Sequence, residues 1–342
     1  MLGPITKAPC VTPLARSLAR DVDREFFARE LESFVPERVF DAHAHLWLAE
    51  AVTWPVKQFP ERIGIAEHQQ FCDDLHPGRR TAGFFLPGFS AERKELIPAS
   101  NQWLAEQVAQ RADCRGAFFV QPGDDPEWVR DEVRRLHLHG LKCYHTMAGG
   151  ASTWEADVDQ FLPEHLVRVA HEESWCITLH LVRSRAVADE RNLDWITRTC
   201  RRYPGMRLIL AHSARGFQPA HNLSGLPKLA GLENVYFDTS ANCEPIAHQA
   251  IIRTVGHKRL LYGSDLPVSH FRGRPVGVAD SFIWLDEASP VWGEKHAQVS
   301  PVLVGLEHLR SLKWACWSER LDDAAVEDIF WNNAARLFEL SA

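Results

Sequence analysis

The sequence contains no apolar run of 18 residues, so a membrane-spanning helix is not expected. Its opening stretch, MLGPITKAPCVTPLARSLAR, has basic residues but no apolar core segment, which argues against a secretory signal. That acid-free start has the composition of a transit peptide, although a ragged N-terminal extension is the simpler reading. Surplus positive charge is also missing. Lys and Arg number 38 against 45 Asp and Glu, and the net charge of −7 argues against a general nucleic-acid surface. No C-x-x-C pair occurs among the eight scattered cysteines. Cys143 and Cys176 sit in apolar runs as small hydrophobes, so reduced thiols and a cytoplasmic location are expected. No G-x-G-x-x-G turn follows an early strand, and no repeat, low-complexity tract or linker divides the chain.

What is present is a rhythm. A helix is expected over 23–34, where Phe26, Phe27, Leu31 and Phe34 share one face, and Pro36 ends it. Short apolar runs then recur as candidate strands at 38–45, 81–88, 116–122, 141–145, 175–182, 206–213, 235–241 and 259–267. Helical patterns lie between most of them. The spans are 101–112 (capped by Ser100 or Asn101), 125–140 (Pro126 in its first turn, Gly140 at its end), 158–174, 192–203 and 244–255. Helices near 301–317 and 323–339 close the chain. Runs without alternation suit strands buried on both faces, hence a parallel sheet. Eight such steps predict a (β/α)8 TIM barrel with an N-terminal helical extension (1–37), the barrel itself occupying 38–342. An open doubly wound sheet is the alternative. The segment 269–301 carries no clean pattern and is expected to be a loop insertion.

In such a barrel the chemistry sits at the C-terminal strand ends. Strand one ends in His43 and His45, two residues apart and so facing one way on a strand. Strand three ends at Gln121. Strand four carries Lys142 and His145, strand five ends at His180, strand six at His212, strand seven at Asp238 and strand eight at Asp265. With 17 histidines in the chain, a lone H-x-H is weak evidence. The whole set, in order at one edge of a closed sheet, is much more specific, and imidazole with carboxylate suits Zn2+ and its neighbours.

The segments FDAHAHLW (40–47), ITLHLV (177–182), LILAHS (208–213) and LLYGSDLP (260–267) resemble metal-binding strand ends of the amidohydrolase superfamily. More narrowly, they are similar to the amidohydrolase-related branch that includes aminocarboxymuconate-semialdehyde decarboxylase. The closing DIFWNNAARLFEL is similar to that branch's C-terminal helix. The resemblance implies His43, His45, His180 and Asp265 as ligands of one Zn2+, with Mn2+ or another divalent ion as the alternative. It places His212 beside the metal as a catalytic residue and gives Asp265 the proton of the metal-bound water. GLKCYH (140–145) is also similar to sites in which a carboxylated lysine bridges two metals. Lys142 is therefore either such a bridge, with His180 and His212 on a second ion, or a substrate contact. Asp238 reads as a hydrogen-bonding support for His212 or the adjacent backbone, and Asn333 as a residue that caps or orients the final helix.

Arg183 and Arg185 follow His180, Arg215 follows His212, and Arg272 and Arg274 follow Asp265. Guanidinium groups above a metal suit a carboxylate. Arg183, Arg215, Arg272 and His145 are accordingly candidate substrate contacts, and the expected partner is a small anionic molecule. Trp47, Trp54 and Trp154 are candidates for the pocket mouth. No nucleic acid or membrane is expected as a partner, and a homodimer is compatible with the apolar C-terminal helices. The leading function is a metal-dependent hydrolase of a lactone, ester or amide. The alternatives are a nonoxidative decarboxylase and a catalytically silent binding barrel.

Overall fold

The computed structural model describes residues 16–53, 58–150, 152–289 and 300–340. Its centre is a sheet of eight parallel strands in sequential order. They are β1 (Arg38–Leu46), β2 (Arg80–Pro87), β3 (Arg115–Phe119), β4 (Gly140–Lys142), β5 (Cys176–Leu179), β6 (Arg207–Leu210), β7 (Val235–Asp238) and β8 (Leu260–Leu261). Backbone bonds bring the last strand to the first: Ala42 N donates to Tyr262 O (2.8 Å), Asp265 N to His43 O (2.7 Å) and His45 N to Leu266 O (3.0 Å). The result is the (β/α)8 barrel that the strand count implies.

Both faces of the strands are buried, which is why their sequences run apolar without alternation. Phe40, Ala82, Phe84, Ala117, Cys176, Ile209 and Leu261 form the inner cluster. The C-terminal helical segment plugs it, with Phe338 stacked on Phe84 at 4.4 Å and on Phe40 at 5.5 Å. Asn333 ties that segment to the barrel, its Nδ2 donating to His257 O and Leu260 O at 2.8 Å each. The opposite strand faces pack outward in a larger cluster that includes Val39, Phe85, Phe118, Leu141, Ile177, Leu208 and Phe237.

Several boundaries differ from expectation for local reasons. The helix expected to start at Ser100 or Asn101 spans Ile97–Val108, with Pro98 in its first turn. Asn101 is buried inside it and bonds both polar groups of the Phe119 backbone instead of capping. The next helix starts as expected, with Asp125 accepting from Trp128 N, but ends at Arg135. Gly140 opens β4, where an added Cβ would lie 2.7 Å from Cys176 O. Pro163 is the N-cap of helix Glu164–Glu172, so the stretch before it is not part of that helix. At the N-terminus, helix Asp21–Phe26 runs into a π turn, Phe27–Leu31.

The largest difference is in 269–301. It contains an antiparallel hairpin, β9 (Gly273–Val278) and β10 (Ser281–Asp286), rather than a plain loop. Residues 290–299 of that segment lie outside the described residues. Among the described residues no helix is long and apolar enough to cross a membrane.

β1 breaks register between Asp41 and Ala44. Phe40 and Ala42 face inward before this bulge, and His43 and His45 do so after it. Such bulges re-aim side chains beside active sites. Asp41 holds the break: Oδ1 accepts from His43 N (3.2 Å) and Ser264 N (2.8 Å), and Oδ2 accepts from His68 Nε2 (3.1 Å). All three donors are buried beside it. Replacing Asp41 with Ala leaves them without an acceptor, and a loss of about 3 kcal/mol or more is expected. Urea unfolding checks this, and an unchanged midpoint would contradict the role.

Candidate metal centre and its cavity

A cavity of about 740 Å³ opens at the C-terminal ends of the strands. Its floor is made by His43, His45, Lys142, His180, His212 and Asp265, and its walls include Phe89, Tyr144, Trp154, Phe217, Phe282 and Trp284. The strand ends expected to converge do converge here.

The ring orientations follow from their partners. His43 Nδ1 lies 2.9 Å from Asp238 Oδ2, so it donates there and leaves Nε2 as a lone pair. That Nε2 faces Asp265 Oδ1 at 3.6 Å, and so does His45 Nε2 at the same distance. His212 Nδ1 lies 3.0 Å from Ser240 O; a carbonyl only accepts, so Nδ1 carries the proton. Its Nε2 is then the nitrogen left for other partners. Burial draws the His212 imidazole below its ordinary pKa, although Asp265 opposes this.

Asp238 is the hub beneath. Besides His43 it accepts from His212 N (3.0 Å) and Ser240 N (3.1 Å). Burial alone would raise its carboxyl pKa, but His43 and these donors outweigh that and hold it well below the usual range. The expected support for His212 therefore reaches its backbone, and the imidazole oriented by Asp238 is that of His43. This is the carboxylate–histidine arrangement that fixes a ligating tautomer.

The donor set fits a divalent cation. His43, His212 and Asp265 each offer a ligand atom, and these atoms all lie within 4.8 Å of one another. Tetrahedral ligands at about 2.1 Å from zinc stand roughly 3.4 Å apart. The lone pair of His43 Nε2, facing a carboxylate across 3.6 Å, has nothing attractive to hold it there unless a cation or proton is shared. Nδ1 of His45 and of His180 is buried with no hydrogen-bond partner among the described residues. His180 stands one ring further out, its centroid 5.1 Å from His212. The group of His43, His212 and Asp265 contains neither His45 nor His180, which line the same cavity beside it.

A second buried group, Asp41, His68 and Cys72, has compatible spacing. There the carboxylate already accepts from His68 and from two backbone N–H groups, and burial pushes the Cys72 thiol well up. It does not line the cavity.

Lys142 is buried on the cavity floor with its Nζ 5.8 Å from the Tyr144 ring centroid. Burial draws its amine below the ordinary lysine value. Arg215 lines the wall. Other expected contacts are elsewhere. Arg272 faces away, with both oxygens of Asp23 at 2.6 and 3.1 Å, because that buried acid needs a cation. Arg183 pairs with Asp189 (3.1 Å) and Asp157 (3.5 Å). Arg274 pairs with Glu244 (3.5 Å) and Glu307 (3.6 Å), and Arg185 is exposed near Asp280. His145 is buried behind the wall, with Nδ1 2.9 Å from Thr153 Oγ1 and its ring 4.2 Å from Trp154. Gln121 donates its backbone N–H to Asp124 and does not line the cavity. Trp154 reaches the mouth; Trp47 is buried against Phe59, its Nε1 donating to Glu61 O. Trp54 lies outside the described residues.

Sequence reasoning missed Asp41, Tyr144 and the hairpin residues Phe282 and Trp284. Asp41 was readable in principle, since an acid two residues before His43 in a buried strand requires donors. The hairpin residues are far along the chain from any strand end and had no such signal.

No curated protein matches the chain in sequence. In fold it is similar to a probable 2-pyrone-4,6-dicarboxylic acid hydrolase from Acinetobacter baumannii, solved with citric acid bound. That likeness has a TM-score of 0.54 at 15% identity, over 88% of this chain and 99% of that one. A 2,6-dihydroxybenzoate decarboxylase from Rhizobium gives 0.55 at 16%, over 90% and 100%. An amidohydrolase from Burkholderia multivorans with bound zinc gives 0.52 at 18%, over 89% and 99%. At these identities the likeness shows a shared fold. The amidohydrolase family profile matches residues 40–340, which is nearly the whole chain, and the protein belongs to that family.

Proposed function

We propose that the protein is a metal-dependent hydrolase that cleaves a C–O or C–N bond of a small, carboxylate-bearing lactone, ester or amide. The observation that carries this reading is the meeting of His43, His45 and His212 around Asp265 on the floor of a cavity. One Zn2+ is the ion proposed, held by His43, His45, His180 and Asp265. When bound it would lower the pKa of a water and polarise a carbonyl.

The chain's own groups supply the rest. Asp265 accepts the proton of the attacking water and returns it to the leaving group. His212, its Nδ1–H committed to Ser240, offers Nε2 to orient that water or steady the carbonyl oxygen. Asp238 keeps His43 in the tautomer that presents Nε2. Lys142 and Arg215 place positive charge where a substrate carboxylate would lie, and the aromatic walls exclude bulk water.

A second reading uses the same residues for nonoxidative decarboxylation, with Asp265 delivering a proton to carbon as CO2 leaves. The fold likeness to a dihydroxybenzoate decarboxylase supports it.

Metal content per chain, measured on untagged protein purified without chelators, tests the shared core. About one equivalent is expected. About two would bring in a carboxylated Lys142, with His180 and His212 on the second ion. None, even after zinc is added back, would contradict the proposal. His45→Ala should lose both ion and turnover, and a variant indistinguishable from the parent in a broad substrate screen would favour a silent barrel. Turnover in 18O-labelled water separates the reactions: label in the organic product is expected for hydrolysis, whereas CO2 release with no label in the organic product would replace it with decarboxylation.

A further inference from the structure

Of the five arginines that follow the polar strand ends in sequence, four pair with or approach an acid: Arg183 with Asp189, Arg185 with Asp280, Arg272 with Asp23, and Arg274 with Glu244. Arg215 has no ion-pair partner among the described residues. One of its nitrogens donates to Arg183 O at 2.8 Å. Its guanidinium carbon otherwise sits over two aromatic rings, Trp154 at 5.3 Å and Phe282 at 5.6 Å. A partly buried cation with spare donors and no carboxylate within ion-pair distance among the described residues, on the wall of a cavity, is set to meet an anion; Glu155 acts on it only from further off.

The backbone beneath it is strained for this placement. His212, Ser213, Ala214 and Arg215 all have φ between 53° and 58°, the left-handed region that non-glycine residues avoid. The turn survives because its carbonyls are held. Asn242 Nδ2 and Gly216 N donate to His212 O, and Asn222 Nδ2 donates to Ser213 O. Strain of this kind collects at functional sites. It gathers His212 and Arg215 onto one cavity within four residues.

Phe282 comes from far along the chain, on β10. The hairpin tip is pinned over the cavity by Asp280, which accepts from the buried His221 at 2.9 Å, and by Gln218 Nε2, which donates to Ala279 O at 2.6 Å. Phe217 packs on Phe282 at 4.6 Å. Its base is tied by the Arg20–Glu287 pair.

We propose that the β9–β10 hairpin is the substrate-selecting element of this protein: Phe282, opposed by the pin at Asp280, holds Arg215 as the anchor for the carboxylate of an apolar substrate. Phe282 acts as a positioning residue, and Arg215 makes the contact. The inference rests on the cavity being the substrate site, but not on which ion the floor holds.

Calorimetric titration of the full-length protein with benzoate and with neutral benzamide tests it, with metal content measured on every variant. Benzoate should bind the parent more tightly than benzamide. Arg215→Gln should weaken benzoate about tenfold or more and leave benzamide unchanged. Phe282→Leu and Asp280→Asn should each weaken benzoate about threefold without affecting benzamide, while Phe282→Tyr, which keeps the ring, should match the parent. Equal weakening of benzoate and benzamide by Phe282→Leu would overturn the proposal, since Phe282 would then be a wall only. Equal affinity of the parent for both probes, or benzoate binding indifferent to Arg215→Gln, would also overturn it. If the protein binds no metal yet Arg215→Gln still abolishes benzoate preference, the anchor stands and the hydrolase reading falls.

Discussion

One carboxylate oxygen organises the upper half of this barrel. Asp265 Oδ1 faces the Nε2 atoms of His43 and His45 at equal distances, while Oδ2 looks toward His212. The lone pair of His43 Nε2 does not attract the carboxylate oxygen it faces, and the chain holds the two there by other means. Asp238 fixes His43 from behind, Asp41 fixes the bulge from which His43 projects, and Asp265 N is bonded to His43 O. Three acids at different depths thus have three tasks: Asp41 shapes backbone, Asp238 sets a tautomer, and Asp265 faces the cavity.

The geometry around that oxygen is maintained against local preference. β1 breaks its ladder beside His43, and four left-handed residues, His212 to Arg215, follow β6. Asp265 itself has φ of 59°. Each would relax in isolation. They persist because buried amides and carboxylates, Asn222, Asn242 and Asp41 among them, satisfy the displaced backbone groups. Close approach adds to this: a Cβ on Gly263 would come within 2.9 Å of His43 Cβ, so the segment after β8 packs against the site without room to spare.

Much of this was legible in the sequence, for a physical reason. Parallel strands buried on both faces write continuous apolar runs, and a polar residue that ends such a run is conspicuous. His43, His45, His180, His212 and Asp265 were found that way. What escaped depended on distance along the chain. Asn101 looks like a helix cap because its bond to Phe119 is invisible locally. The hairpin 273–286 splits its apolar residues between cavity and solvent, so it shows no single phase. Arg272 and Arg183 looked like Arg215 in sequence, and only the positions of Asp23 and Asp189 separate them. The left-handed turn leaves no mark, since His-Ser-Ala-Arg contains no glycine.

The chemistry of this barrel depends on where a metal sits. Among the described residues two buried groups have compatible spacing, and they differ in chemistry: the cavity group offers only nitrogen and oxygen, whereas Asp41, His68 and Cys72 include a thiol. X-ray absorption at the metal edge of the zinc-loaded protein reads that difference directly. A shell of nitrogen and oxygen near about 2.0–2.1 Å, with outer scattering from at least two imidazoles, is the expected result. A sulfur neighbour at about 2.3 Å would move the ion to Cys72 and contradict the assignment of the cavity as the metal centre.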